Sequence, residues 1–217
     1  RYGTVTGVQT CALPILFEPG YPIVDGVAIA SDGPVASVFL AYQDPVDERL
    51  TEVHLDPASC TSVNLLRVLL AARGLSPRLL PLAGYDPDRM PRNVLLIGDP
   101  ALRFALGAHP HRIWDLGGAW KEWTGLPFVY AVWAVREAAA TRELAEGLRS
   151  AREQGLASLP HWVESRPEFT REFRRAYLGG HIRYGLGDAE KAGIERFRQA
   201  LETHLTPCRT TVLPRYF

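Results

Sequence analysis

The chain has 217 residues, 47% hydrophobic and 22% charged, which is the composition of one substantial globular domain or two small lobes. Its 24 basic and 24 acidic side chains cancel, which excludes the basic excess of a nucleic-acid binder. No run of about 18 apolar residues is present to span a membrane.

The beginning is unusual. Val5 to Ile15 resembles the in-frame translation of a common short-read sequencing adapter over eleven residues. Residues 1–15 are therefore expected to be non-biological and are set aside from the fold reasoning. The three cysteines are odd in number and widely separated, and Cys60 and Cys208 have no neighbours at metal-ligand spacing. That usage fits a reduced cytoplasmic protein.

From Leu16 the pattern becomes ordinary. Ile23 to Ala30 reads as a short strand, Ser31-Asp32-Gly33-Pro34 as a turn, and Val35 to Tyr42 as a second strand, apolar except at Ser37. Asp44 to Glu48 is a polar connection, and Leu50 to Leu55 alternates like a half-buried strand. A largely apolar, buried helix follows, with Ser59 or Thr61 as its cap and Gly74 as its stop. Its first turn presents Ser59, Thr61 and Ser62 beside unpaired backbone N–H groups and the positive end of the helix dipole. Such a start either binds a carboxylate or phosphate or is simply well capped.

Leu79 to Leu82 is a further short strand, with Pro81 and the Asp86-Pro87 pair marking irregular chain around it. Asn93 to Pro100 reads as a short buried strand followed by a turn, and a helix then runs from Ala101 to about Leu106. Gly98 and Asp99 fall where open α/β sheets meet their ligands, at the carboxyl end of a strand. Gly98 permits close approach of a ligand. Asp99 is either an acid, base or binding group, or the N-cap of the helix.

Trp114 to Arg136 organises the rest, holding four of the five tryptophans within 23 residues. Its first half is a short polar-aromatic helix between Gly117-Gly118 and Gly125-Leu126-Pro127. Its second half, Phe128 to Val135, is a strand covered on both faces. Helices then dominate: one from Ala138 to about Gln154, and one opened by a capping box at Ser165-Arg166-Pro167-Glu168. In the second of these Phe169, Phe173 and Tyr177 form a core stripe before Gly179-Gly180. The last helix is capped by Asp188, with Ile194, Phe197 and Leu201 buried. The residues alone describe an α/β protein with a small-anion pocket.

Familiar dinucleotide, phosphate-loop and serine-hydrolase motifs are absent. His109-x-His111 lacks a carboxylate at helical spacing, so no metal site is expected there. No internal repeat or low-complexity segment is visible.

Three segments carry a resemblance. Ser31-Asp32-Gly33-Pro34-Val35-Ala36-Ser37-Val38, Leu95-Leu96-Ile97-Gly98-Asp99-Pro100-Ala101-Leu102 and Asp115 to Arg136 together resemble the chorismate dehydratase family, in the same order and spacing. The resemblance extends from about residue 16 to the end, and the segment from Asp115 is the most specific. It implies an α/β, two-lobed fold like type II periplasmic binding proteins, in a cytoplasmic enzyme of the futalosine route to menaquinone. Residues 16–41 and 131–217 would form the first lobe and 42–130 the second. The strand at Val35 to Tyr42 would cross into the second lobe, and the strand from Phe128 would lead back.

The implied reaction converts chorismate to 3-[(1-carboxyvinyl)oxy]benzoate by loss of water, and it requires no redox cofactor or metal. Ser59, Thr61 and Ser62 would hold one substrate carboxylate and Ser37 would add a donor. Gly98 would line the site, and Asp99 would make a polar contact or transfer a proton. The sister family that makes 1,4-dihydroxy-6-naphthoate is the nearest rival. Its Thr-Thr pair matches Thr61-Ser62, but it has a catalytic histidine where this chain has Gly98. The dehydratase family also has a Ser-Tyr-x-Asn type segment lining the cleft near its start, which this sequence does not match. The first lobe is therefore expected to be incomplete and this chain inactive. A non-catalytic small-carboxylate-binding protein of the same fold is the alternative from another class.

Overall fold

A computed structural model describes residues 8–11 (backbone only), 21–57, 59–86, 89–205 and 216. Of the adapter-like stretch, residues 1–7 and 12–15 lie outside the described residues, as do Pro87 and Cys208.

In chain order the elements are β1 (Val8–Cys11), β2 (Ile23–Ser31), β3 (Val38–Tyr42), β4 (Glu52–Leu55), α1 (Thr61–Ala71), β5 (Arg78–Pro81) and β6 (Asn93–Ile97). They continue with α2 (Gly98–Leu106), β7 (Arg112–Asp115), α3 (Leu116–Thr124), β8 (Phe128–Val135), α4 (Arg142–Ser165), α5 (Arg171–Ala176) and α6 (Asp188–His204). The chain is mixed α/β, and it divides into two compact units. The first comprises residues 1–32, 126–195 and 210–217, and the second residues 33–125 and 196–209.

The first unit is built on a three-stranded antiparallel sheet in the order β1-β8-β2. The sequence expectation for Phe128 to Val135 holds residue for residue, because β8 is the central strand and five of its eight residues are buried. Val24 and Val27 of β2, with Val135, pack under Ala145, Leu144 and Leu148 of α4. Thr141 caps α4 by accepting the Leu144 N–H, and the helix runs on to Ser165, past the expected end near Gln154. Pro160 lies inside it, on an exposed turn.

The expected capping box at Ser165 to Glu168 is not formed. Ser165 ends α4, and Thr170 caps α5 by accepting the Phe173 N–H. Phe169 lies outside the helix at φ 64° and is half-buried, so the aromatic stripe is a surface stack. Its rings follow one another with centroids 5.2 Å and then 5.8 Å apart.

The second unit carries a five-stranded sheet in the order β5-β4-β6-β3-β7. β4 runs parallel to β5 and β6, whereas β3 runs antiparallel to both β6 and β7. The two central strands β3 and β6 are apolar and buried almost throughout. Phe39, Ala41, Val94 and Leu96 meet Ala101 and Phe104 of α2 on one face. The alternate residues Leu40 and Leu95, also fully buried, point the other way, where α1 packs against β6 and α3 against β3.

β7, which the composition did not announce, is an edge strand with two exposed and two partly buried residues. The final turns of α6 belong to this unit, and Phe197 and Leu201 are buried there as expected.

Candidate active site

The topology of the five-stranded sheet decides which polar residues meet. β4 and β6 are parallel, and β3 enters antiparallel to β6. The carboxyl ends of β4 and β6 and the start of β3 therefore share one edge. Ser37 precedes β3, Asp56 to Ser62 follow β4, and Gly98 and Asp99 follow β6.

Backbone hydrogen bonds tie these three segments together. The Gly98 N–H donates to the Ser37 carbonyl at 2.8 Å, and the Asp56 N–H donates to the Leu95 carbonyl at 3.2 Å. Gly98 stands at φ 60°, a left-handed conformation that glycine adopts without a Cβ clash, and this turns the chain from β6 into α2.

At the start of α1 the N-cap position belongs to Cys60, without a side-chain bond, and not to Ser59 or Thr61 as expected; Ser59, one residue earlier, accepts the Ser62 N–H at 3.0 Å. Thr61 and Ser62 lie in the first turn, each only 4% exposed, and Ser37 is 5% exposed. Two small hydroxyl side chains, Thr61 and Ser62, are thus buried in the first turn of a helix, where the macrodipole is positive. Asp99 lies in the first turn of α2 and is exposed. It is not the N-cap, since Ile97 occupies that position without a side-chain bond.

Three carboxylate and phenol positions at this edge were not singled out in the sequence. Asp56 is 1% exposed and accepts the Tyr85 hydroxyl at 2.7 Å. Burial, and then that bond to a carboxylate, push the Tyr85 phenol up to about 12. Asp115 closes β7, opposite Phe39 at the start of β3, and caps α3 by accepting the Gly118 N–H at 2.8 Å. The signal for Asp115 was an aspartate ending a strand before Gly117-Gly118. For Asp56 it was an aspartate between a strand and Pro57.

Among the described residues, no group of three or more His, Cys, Asp or Glu side chains could hold a metal ion. His109 stacks on Phe104 at 4.4 Å, and the His111 Nε2 meets the Pro91 carbonyl at 2.8 Å. Both histidines line a largely apolar recess of about 380 Å³ with Tyr85, Met90 and Arg103, and none of the expected site residues lines it.

With this geometry in place, relatives become informative. The sequence profile of a menaquinone biosynthesis family matches residues 12–203. A chorismate dehydratase of Thermus thermophilus is 32% identical over 213 residues, covering 83% of this chain and 73% of that enzyme.

The chain belongs to this family.

The expected enzyme class, a lyase that removes water, stands on the same two findings. Fold relatives are more distant in sequence. A crystal structure of an Archaeoglobus fulgidus protein superposes with a TM-score of 0.62 at 18% identity, covering 91% of this chain and 78% of the other. One described as an ABC transporter from Parabacteroides distasonis gives 0.61 at 14% identity, covering 96% and 79%. These show the fold, a mixed α/β chain whose structural neighbours are binding-protein-like. Among the described residues, no helix is long and apolar enough to cross a membrane.

Proposed function

We propose that the protein dehydrates chorismate to 3-[(1-carboxyvinyl)oxy]benzoate within menaquinone biosynthesis, using a two-lobed, binding-protein-like fold. The observation that supports this reading is the gathering of Ser37, Ser59, Thr61 and Ser62 at the sheet edge where α1 and α2 begin, in a chain of this family.

The chemistry asks for little beyond this. A ring C–H gives its proton to a base, the neighbouring hydroxyl leaves, and proton and hydroxide together make water while the ring becomes aromatic. The electrons of the C–H bond become part of the aromatic ring, so no oxidant or reductant enters. What the site must supply is a grip on two carboxylates and stabilisation of the departing hydroxide.

Thr61 and Ser62, with first-turn N–H groups of α1, hold one carboxylate, and Ser59 steadies that turn by accepting the Ser62 N–H. Ser37 adds a donor from the facing strand, where Gly98 leaves room for the ring. Asp99, in the first turn of α2, makes a polar contact to the substrate or moves a proton. The presence of Gly98 where the naphthoate-forming sister family has a histidine favours the dehydratase reading.

The test is to express the protein, incubate it with chorismate, and follow the products by chromatography. Formation of the enolpyruvyl benzoate supports the lyase. Chorismate binding without turnover sinks it and leaves a carboxylate-binding protein.

A further inference from the structure

Four backbone and side-chain facts meet at Asp115. Its Oδ2 accepts the Ala36 N–H at 2.7 Å, and both carboxylate oxygens accept the Val35 N–H at 3.1 Å. Its Oδ1 also accepts the Gly118 N–H at 2.8 Å at the start of α3. One carboxylate therefore holds two segments that are far apart in sequence, the loop entering β3 and the first turn of α3. Ala36 is held at φ 63°, a left-handed conformation costing a non-glycine residue about 1–2 kcal/mol. The residue after it is Ser37, whose carbonyl accepts the Gly98 N–H.

The loop packs closely over glycine at position 118 where it reaches this carboxylate. A Cβ built there would stand 3.4 Å from Pro34 Cγ. Pro34 presses against that glycine, Val35 and Ala36 point their N–H groups at the carboxylate, and the next residue enters the strand. Charge-assisted bonds of this kind are about twice as strong as neutral ones, which is enough to hold one strained residue in place.

We infer that Asp115 is a positioning residue for the candidate active site. By fixing Ala36 in its left-handed conformation, it sets the direction of Ser37 and the Ser37–Gly98 junction that lines the substrate pocket. This inference rests on the proposed function for the meaning of Ser37 and Gly98, but the clamp itself is readable without any substrate.

Two measurements test it. The first is amide hydrogen exchange in Asp115→Asn, whose side chain keeps one acceptor oxygen and turns an N–H₂ toward the loop. Exchange at Val35, Ala36 and Gly118 is expected to quicken at least about tenfold, the loss of a charge-assisted bond. The decisive amide is Gly98, which Asp115 does not touch and which is also expected to quicken. If Gly98 is unchanged while Val35 and Ala36 quicken, Asp115 is a helix cap and loop tie only, and the inference is overturned.

The second measurement uses chorismate turnover by the protein. Asp115→Asn is expected to lower kcat/KM by about 10–100-fold, and little further in the presence of Ser37→Ala, because both act on one group. Ala36→Gly in the Asp115→Asn background is expected to recover part of the loss, since glycine takes the left-handed conformation freely. Fully additive losses for Asp115→Asn and Ser37→Ala, with no recovery by Ala36→Gly, overturn the inference. If the wild-type protein is inert to chorismate, the proposed function fails, and the Gly98 exchange rate still decides the clamp.

Discussion

Trp120 and Phe197, 77 positions apart in the sequence, meet edge to face with ring centroids 5.8 Å apart and planes at 80°. Both are fully buried, and they join α3 to the last turns of α6 within the second unit. Replacing Phe197 by Ala removes the ring, leaves a cavity against Trp120 and is expected to cost about 3–5 kcal/mol. Urea unfolding of the two proteins checks this, and a midpoint within error of the wild type refutes it.

Gly193 offers an opposite kind of test. In the interior of a helix, Gly→Ala ordinarily stabilises by about 1 kcal/mol through helix propensity. Here a Cβ would run into the Pro127 carbonyl oxygen, a backbone atom that cannot rotate away. Overpacking of that kind costs about 1–3 kcal/mol, so the sign reverses and Gly193→Ala is expected to lower the melting temperature. A rise in Tm on heating, followed by circular dichroism, contradicts the close approach of α6 to the entry of β8.

Tyr85 supplies a pH signature. Its phenol is raised from 10 to about 12, by burial first and by its bond to Asp56 second. A group raised in the folded state stabilises fully below its unfolded value and loses that contribution as pH rises through the folded one. The contribution of Tyr85 is therefore intact below about 10 and fades toward 12. Ultraviolet titration is expected to show phenolates appearing late, Tyr85 among them beside Tyr216, which is also pushed up to about 12, and Tyr85→Phe to reduce that late rise. A step near 10 in the wild type, absent from the variant, counts against the bond.

At the acid end the matching group is Asp44. The Arg92 guanidinium and then the Asn93 amide hold its carboxyl below the usual range. A lowered carboxylate stabilises above its unfolded value and loses that contribution as pH falls through the folded one. Asp44→Asn is thus expected to lower stability at neutral pH and to flatten the loss in acid, as read from unfolding midpoints across pH 2–7. Parallel pH profiles for the two proteins refute the pairing.

For the candidate site, Thr61→Val and Ser62→Ala remove hydroxyls without removing the helix. Each is expected to reduce kcat/KM for chorismate by about tenfold or more, the loss of one hydrogen bond to a charged group. Ser59→Ala, which removes the acceptor for the Ser62 N–H, is expected to cost about 1 kcal/mol of stability as well. Activity untouched by both Thr61→Val and Ser62→Ala moves the carboxylate grip elsewhere.

Much of this chain declares itself locally. Phe128 to Val135 is an unbroken apolar run rich in β-branched and aromatic residues, and it forms the central strand of its sheet. Ile194, Phe197 and Leu201 recur at helical spacing, and all three are buried in α6. The hydroxyls at positions 59, 61 and 62 and the Gly98-Asp99 pair mark two helix starts through composition alone.

Other features depend on partners that local pattern cannot name. β7 is an edge strand with exposed and partly buried residues, and it is a strand because β3 offers it a ladder. Ser165 and Thr170 are equally good caps by type, and packing at the end of α4 left the role to Thr170. The left-handed Ala36 has no sequence signal at all, since alanine avoids that conformation until the Asp115 carboxylate holds it there. Periodicity and residue type thus determined which segments are helices and strands and which carry hydroxyls. The parallel and antiparallel pairings of the five-stranded sheet decided that Ser37, Thr61, Ser62 and Gly98 share one edge, because strand direction is set by long-range hydrogen bonding that no local stretch of sequence contains.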